Sequence, residues 1–155
     1  MLIDKIISGG QTGVDRAALD IAIKHNIAHG GWCPRGRIAE DGTIDERYNL
    51  TETNSRKYTC RTKWNVRDSD GSLILNSGRL AGGTAVTVSV ARRCNKPCHS
   101  ISLDKTTDVS AAIEWISRHN IRILNIAGPR ESKQPGIYME AYQLLESLLQ
   151  QLKKT

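Results

Sequence analysis

L-I-D-K-I-I-S-G-G-Q-T-G-V-D-R-A-A-L-D-I-A-I-K, from Leu2 to Lys24, decides how the rest of the chain is read. A short apolar strand, Leu2 to Ile7, runs into Ser8, Gly9, Gly10, Gln11, Thr12 and Gly13. A helical pattern then extends from Val14 to about His25, with Leu19, Ile21, Ala22 and Ile23 supplying its apolar stripe. Three glycines let the backbone turn tightly and approach a ligand. The first amides of the following helix lack intrahelical acceptors and direct partial positive charge to the same place. An anion is the natural occupant. The spacing G-G-x-x-G is neither the dinucleotide fingerprint nor the Walker loop, since no Lys-Ser or Lys-Thr pair closes it.

Outward from this unit, strands and helices alternate. A second strand is expected at Ala28 to Trp32, a third at Gly71 to Leu75, a fourth at His99 to Leu103 and a fifth at Arg122 to Ala127. Helices are expected from Thr84 to about Cys94, from Val109 to His119 behind the capping Asp108, and from Ile137 to Leu152. Cys33 to Asn65 is polar, charged and without periodicity. The alternation predicts an α/β, Rossmann-like open parallel sheet with helices on both faces, folded as a single domain over residues 1–155. Loops Ser8 to Gly13, Asn76 to Thr84 and Gly128 to Gly136 each follow a strand and open a helix. They should converge on the crevice at the carboxyl edge of the sheet, bringing Gln11, Thr12, Thr84, Arg130 and Ser132 as donors for a phosphate-bearing small molecule.

Composition narrows the classes. A chain of 155 residues with 39% hydrophobic content suits one core. No stretch nears the roughly 20 apolar residues of a membrane span, and the beginning of the chain lacks signal-peptide character, so a cytoplasmic protein is expected. The net charge of +6 favours acidic partners, yet the basic residues are scattered, which argues only weakly for nucleic acid. Cysteines 33, 60, 94 and 98 fit no zinc-knuckle or disulfide spacing. Cys33 lies beside Arg35 and Arg37, which favour a thiolate, although a small buried cysteine is the commoner case. The dispersed histidines offer no i, i+4 pair for zinc or iron.

Four blocks carry a resemblance: I-S-G-G-Q-T-G-V-D-R-A-A-L-D (Ile7 to Asp20), G-W-C-P-R-G-R-x-A-E-D-G (Gly31 to Gly42), G-G-T (Gly82 to Thr84) and L-N-I-A-G-P-R-E-S (Leu124 to Ser132). Together the chain resembles the molybdenum cofactor carrier family, a branch of the Rossmann-like superfamily that includes the lysine-decarboxylase-like, cytokinin-activating phosphoribohydrolases. The resemblance implies an oligomeric cytoplasmic protein that holds molybdenum cofactor (molybdopterin) and protects it from oxidation, with molybdoenzymes or cofactor-synthesis proteins as partners.

Such a ligand needs an anion cradle, polar partners for the pterin edge and no attacking group. Gly9, Gly10, Thr12 and Gly13 are expected around one anionic group and Gly82, Gly83 and Thr84 around another. Gln11, Gly128, Arg130 and Ser132 complete the crevice, and Arg35 and Arg37 clamp the outer charge. Asp15 stands between a helix-dipole partner and a ligand contact. Asn65, Arg67 and Asp68 are expected at the far end of the third strand unless the preceding segment folds back.

The related hydrolases carry a glutamate within the first turn after their glycine loop. Here that turn reads Thr84-Ala85-Val86-Thr87, which favours a non-catalytic carrier; only Glu131 and Asp15 could substitute. A nucleotide sensor or a phosphoribohydrolase-like enzyme remains the alternative, with a nucleotide or other phosphate-bearing ligand. The last helix, with Tyr142, Leu144, Leu145, Leu148, Leu149 and Leu152, has more apolar surface than one sheet face requires, predicting a homo-oligomer, dimer or tetramer, through it.

Overall fold

The computed structural model describes residues 3–155; Leu2, the expected start of the first strand, lies outside them. Five parallel strands form the central sheet in the order β2-β1-β9-β7-β8: β1 (Lys5–Ile7), β2 (Ala28–Gly30), β7 (Gly71–Asn76), β8 (Cys98–Ser102) and β9 (Ile123–Ala127). From β1 the chain steps outward to β2, and from β7 it steps outward the other way to β8. It then returns to place β9 between β1 and β7. Strand order therefore reverses at the centre, where the loops after β1, β7 and β9 meet.

Helices α1 (Val14–Lys24), α4 (Ser110–Arg118) and α5 (Ile137–Lys153) cover one face, and α2 (Tyr58–Arg67) and α3 (Gly82–Arg93) the other. The first face is fully apolar. Ile6, Leu73, Leu75, Leu124 and Ile126 project into it and meet Ala18, Ile21 and the α5 leucines. Alternation along the strands sends Ser72, Ile74, Asn76 and Asn125 to the opposite face. That face is polar within the sheet, where Asn125 donates to Ser72 Oγ at 3.0 Å, and at its carboxyl edge, where Asn76 ends β7. Polar side chains here leave α2 and α3 without a continuous apolar layer to settle on.

Several expectations change. The second strand breaks at Gly31, whose φ is +125° and where a Cβ would stand 2.3 Å from Ser8 O. Ala28–Gly30 joins the main sheet, while β3 (Trp32–Cys33) pairs instead with β6 (Thr51–Glu52). The segment without periodicity holds a hairpin, β4 (Ile38–Ala39) with β5 (Gly42–Thr43), then most of the ten-residue α2, and its Cys33, Ile44, Tyr48 and Leu50 form a small core with Leu19 of α1. The leucine face of α5, expected to meet a second copy, is used up inside the chain. Leu144, Leu145, Leu148, Leu149 and Leu152 are all buried within the chain's own core, largely against α1. Asp108 accepts the Ser110 amide at 2.9 Å at the start of α4. Among the described residues no helix is long and apolar enough to cross a membrane.

Candidate functional site

At the reversal point the structure has a cavity of about 450 Å³, within the range that small-molecule sites occupy. The loops after β1, β7 and β9 form one side. Helices α2 and α3 form the other. Among the described residues, Arg61, Arg79, Arg130 and Lys133 line it, against a single carboxylate, Asp15.

Asp15 is in the first turn of α1 and is 3% exposed. Its Oδ2 accepts Arg61 Nη1 at 2.7 Å and the Gln11 amide at 3.3 Å. Burial pushes the carboxyl above its ordinary range, and Arg61, by charge and hydrogen bond, offsets part of that rise. The acid neutralises one guanidinium, so the remaining wall stays cationic.

The three helix starts expected to attract anions differ once the chain is folded. In the loop after β1, Gly10 N–H donates to Ser8 Oγ (3.3 Å), Gln11 N–H to Asp15, and Thr12 N–H to Gln11 Oε1 (3.0 Å). At the start of α5, the Glu131 carboxylate accepts the amides of Gly136 and Tyr138, at 2.5 and 2.9 Å. Glu131 thereby caps a helix. Of the three, α3 opens freely: among the described residues no side chain caps it, and a Cβ at Gly82 or Gly83 would meet nothing within 4 Å. Its first amides face no intrahelical acceptor, and Gly82, Gly83 and Thr84 line the cavity.

The expected site residues divide accordingly. Gly9, Gln11, Gly82, Gly83, Thr84, Gly128 and Arg130 line the cavity, whereas Gly10, Thr12, Gly13, Arg35, Arg37 and Ser132 do not. Thr12 and Ser132 both donate to the Glu40 carboxylate, with Arg130 Nε 3.5 Å from it, so the hairpin's own acid occupies those donors. Arg37 is a brace rather than a clamp. Its guanidinium donates to the carbonyls of Ile44, Asp45, Tyr48 and Leu50 at 2.9 to 3.3 Å. Arg35 is exposed away from the cavity. Cys33 is fully buried, which pushes its thiol up, the inert case.

Sequence reasoning missed the contribution of α2. Tyr58, Arg61, Thr62 and Asn65 recur at i, i+3, i+4 and i+7 and form the stripe that faces the cavity. The period is helical but the residues are polar, so a search for apolar periodicity passes over it. The segment before β7 does fold back. Asn65 joins α2 to β3 by accepting the Trp32 amide at 2.8 Å and donating to its carbonyl at 3.0 Å. Arg67 pairs with its neighbour Asp68 outside the cavity. Among the described residues no cluster of three His, Cys, Asp or Glu side chains could hold a metal ion.

Comparison with known proteins supplies context for this geometry. The model of the circularly permutated YpsA SLOG family matches residues 6–149. A crystal structure of a "Putative molybdenum carrier protein" from Syntrophus aciditrophicus SB superimposes with a TM-score of 0.92, at 52% sequence identity, over 95% of each chain. No curated protein matches the sequence.

Proposed function

The chain belongs to the circularly permutated YpsA SLOG family, and from that premise we propose that it binds and carries an anionic pterin cofactor, most specifically molybdenum cofactor, at the carboxyl edge of its sheet. The observation that carries this reading is the charge balance of the cavity. Four cations and the open start of α3 surround a space with one acid, and that acid is already paired. A phosphate or oxyanion gains there from the open amides of α3 and from Arg79 and Lys133, while Arg61 and Arg130 keep their own carboxylates, Asp15 and Glu40. The 52% identical neighbour named as a molybdenum carrier supports the same cargo class.

The residues fit such a group chemically. Gly82, Gly83 and Thr84 would hold its phosphate, with Arg79, Arg130 and Lys133 contributing charge. Unpaired amide oxygens of Asn76 and Gln134 supply acceptors for a heterocycle. The cofactor would supply its own dithiolene chelation of the metal. A carrier role also agrees with the state of Asp15: held by Arg61 and the Gln11 amide, it is poorly placed to act as a general base on a bound ligand. A phosphoribohydrolase-like activity would depend on freeing it.

Mass spectrometry of the small molecule released from the purified chain tests the reading. A pterin, or its fluorescent oxidation product, supports carriage; a nucleoside phosphate shifts the assignment to sensing or hydrolysis. Turnover of nucleoside monophosphates then separates those two.

A further inference from the structure

Among the described residues, three buried side-chain atoms have no hydrogen-bond partner: Arg61 Nε, Asn76 Oδ1 and Gln134 Oε1. All three residues line the same cavity. Asn76, at the carboxyl end of β7, is 4% exposed, and its Nδ2 donates to Gly78 O at 2.9 Å. Gln134, in the loop after β9, donates through Nε2 to Ser77 O at 2.5 Å. One turn, residues 76–78, thus fixes both amides with their nitrogens used and their oxygens open. Flipping either amide would set oxygen against a carbonyl oxygen.

Two open acceptors do not serve an anion. A buried acceptor without a donor is costly to leave, and its repulsion of a phosphate adds to that cost. They serve a ligand that brings N–H groups. Arg61 Nε–H, the third open atom, is the complementary donor and suits a ring oxo group or an anionic oxygen.

We propose that the Asn76 and Gln134 end of the cavity recognises a 2-amino-4-oxopyrimidine edge, the unit shared by pterins and guanine, through its ring N–H and exocyclic amino donors. The anionic end of the same ligand lies toward Gly82, Gly83 and Thr84. This rests on the reading of the cavity as an anionic-ligand site and adds the chemistry of the head group. A ring that lacks the exocyclic amino group leaves an acceptor unpaired. Adenine presents a ring acceptor where a donor is needed.

Calorimetric titration of the full chain with two matched pairs tests the assignment: GMP against IMP, and pterin against lumazine, with inorganic phosphate as the reference for the anionic end. Loss of one donor to a buried acceptor should weaken binding about tenfold or more. GMP over IMP, pterin over lumazine, or both should therefore show at least that ratio, and the pair that shows it identifies the source of the ring. Asn76→Leu and Gln134→Leu should each bring the ratio toward one. Should Asn76→Leu lose its cooperative melt, Gln134→Leu, whose residue is only half-buried in a loop, carries the test. Equal affinities within both pairs, or a ratio that survives the substitution, overturn the head-group assignment while phosphate binding keeps the anion site. Failure of phosphate and all four ring compounds to bind overturns both.

Discussion

Arg61 Nη1 lies 2.7 Å from Asp15 Oδ2, and to reach it the guanidinium crosses directly over Gly9, whose missing side chain makes the passage possible. A Cβ on Gly9 would stand 1.4 Å from Nη1. One contact therefore joins α2, α1 and the loop after β1. It explains a glycine that the sequence suggests is there for ligand approach: its closest neighbour is an arginine of the same chain.

Arg61→Ala should strand a buried carboxylate. Removing one partner of a buried pair costs about 3 to 5 kcal/mol, so the urea midpoint should fall sharply. Asp15→Asn added to Arg61→Ala should recover part of the loss. Additive effects in this double-mutant cycle would mean that the pair is not coupled.

Asp15 also sets a pH dependence. Its folded pKa is raised, so folding with the ionised acid becomes less favourable as pH rises from the ordinary aspartate value toward the folded one. Stability from this group is greatest below that window. Asp15→Asn should remove this part of the slope, measured as the difference in unfolding free energy between wild type and variant from pH 4 upward, about where the acid ordinarily ionises.

Glu40 has the opposite sign. Burial raises its pKa, but hydrogen bonds from Ser132 and Thr12 and the charge of Arg130 outweigh it, leaving the carboxyl below its ordinary value. Its contribution is complete above the ordinary glutamate pKa and disappears as pH falls through the folded one. Glu40→Gln should therefore destabilise the chain at pH 7 and have a smaller effect at pH 3, read from denaturant midpoints.

Gly83→Val should separate binding from folding. The position opens to free space, so the melting temperature should move by only a few degrees, whereas a side chain at the first turn of α3 obstructs the anion. Phosphate affinity should fall about tenfold. Unchanged affinity in the calorimeter would remove α3 from the site.

Arg37→Ala removes donors from four carbonyls that hold residues 37–50 together. Hydrogen bonds from a charged donor are worth about 1.5 to 3 kcal/mol each and do not add simply. A loss of at least about 2 kcal/mol is expected, with faster proteolysis in that segment and phosphate affinity retained. A matching collapse of affinity would return Arg37 to the binding site.

Much of the architecture was legible because it is written in local periodicity. G-S-L-I-L at Gly71 reads as a buried strand, and the apolar residues Leu19, Ile21 and Ala22 as a buried helix, although the fold sends Leu19 to the small core and Ile21 and Ala22 to the main one. The need for glycine at the Gly31 break was hidden, since the Ser8 carbonyl that leaves no room for a Cβ there comes from the loop after β1 and meets it only in the folded chain. Helix α2 was hidden for a related reason. Its inward stripe faces a cavity rather than a core, and polar residues there leave no apolar rhythm. The α5 leucines carried a true signal, burial, but composition does not say whether α1 or a second chain provides it.

The sequence by itself determined that strands alternate with helices and that glycine-rich turns join strand ends to helix starts, because both follow from short-range preferences of the backbone. Tertiary structure alone decided which of those turns stays open. Ser8, Asp15, Gln11, Glu40 and Glu131 satisfy the amides and hydroxyls around the first and third helix starts. Ser8, Gln11, Asp15 and Glu131 are near neighbours of the donors they satisfy, but only the folded loops turn them onto those donors, and Glu40 reaches Thr12 and Ser132 from a distant hairpin.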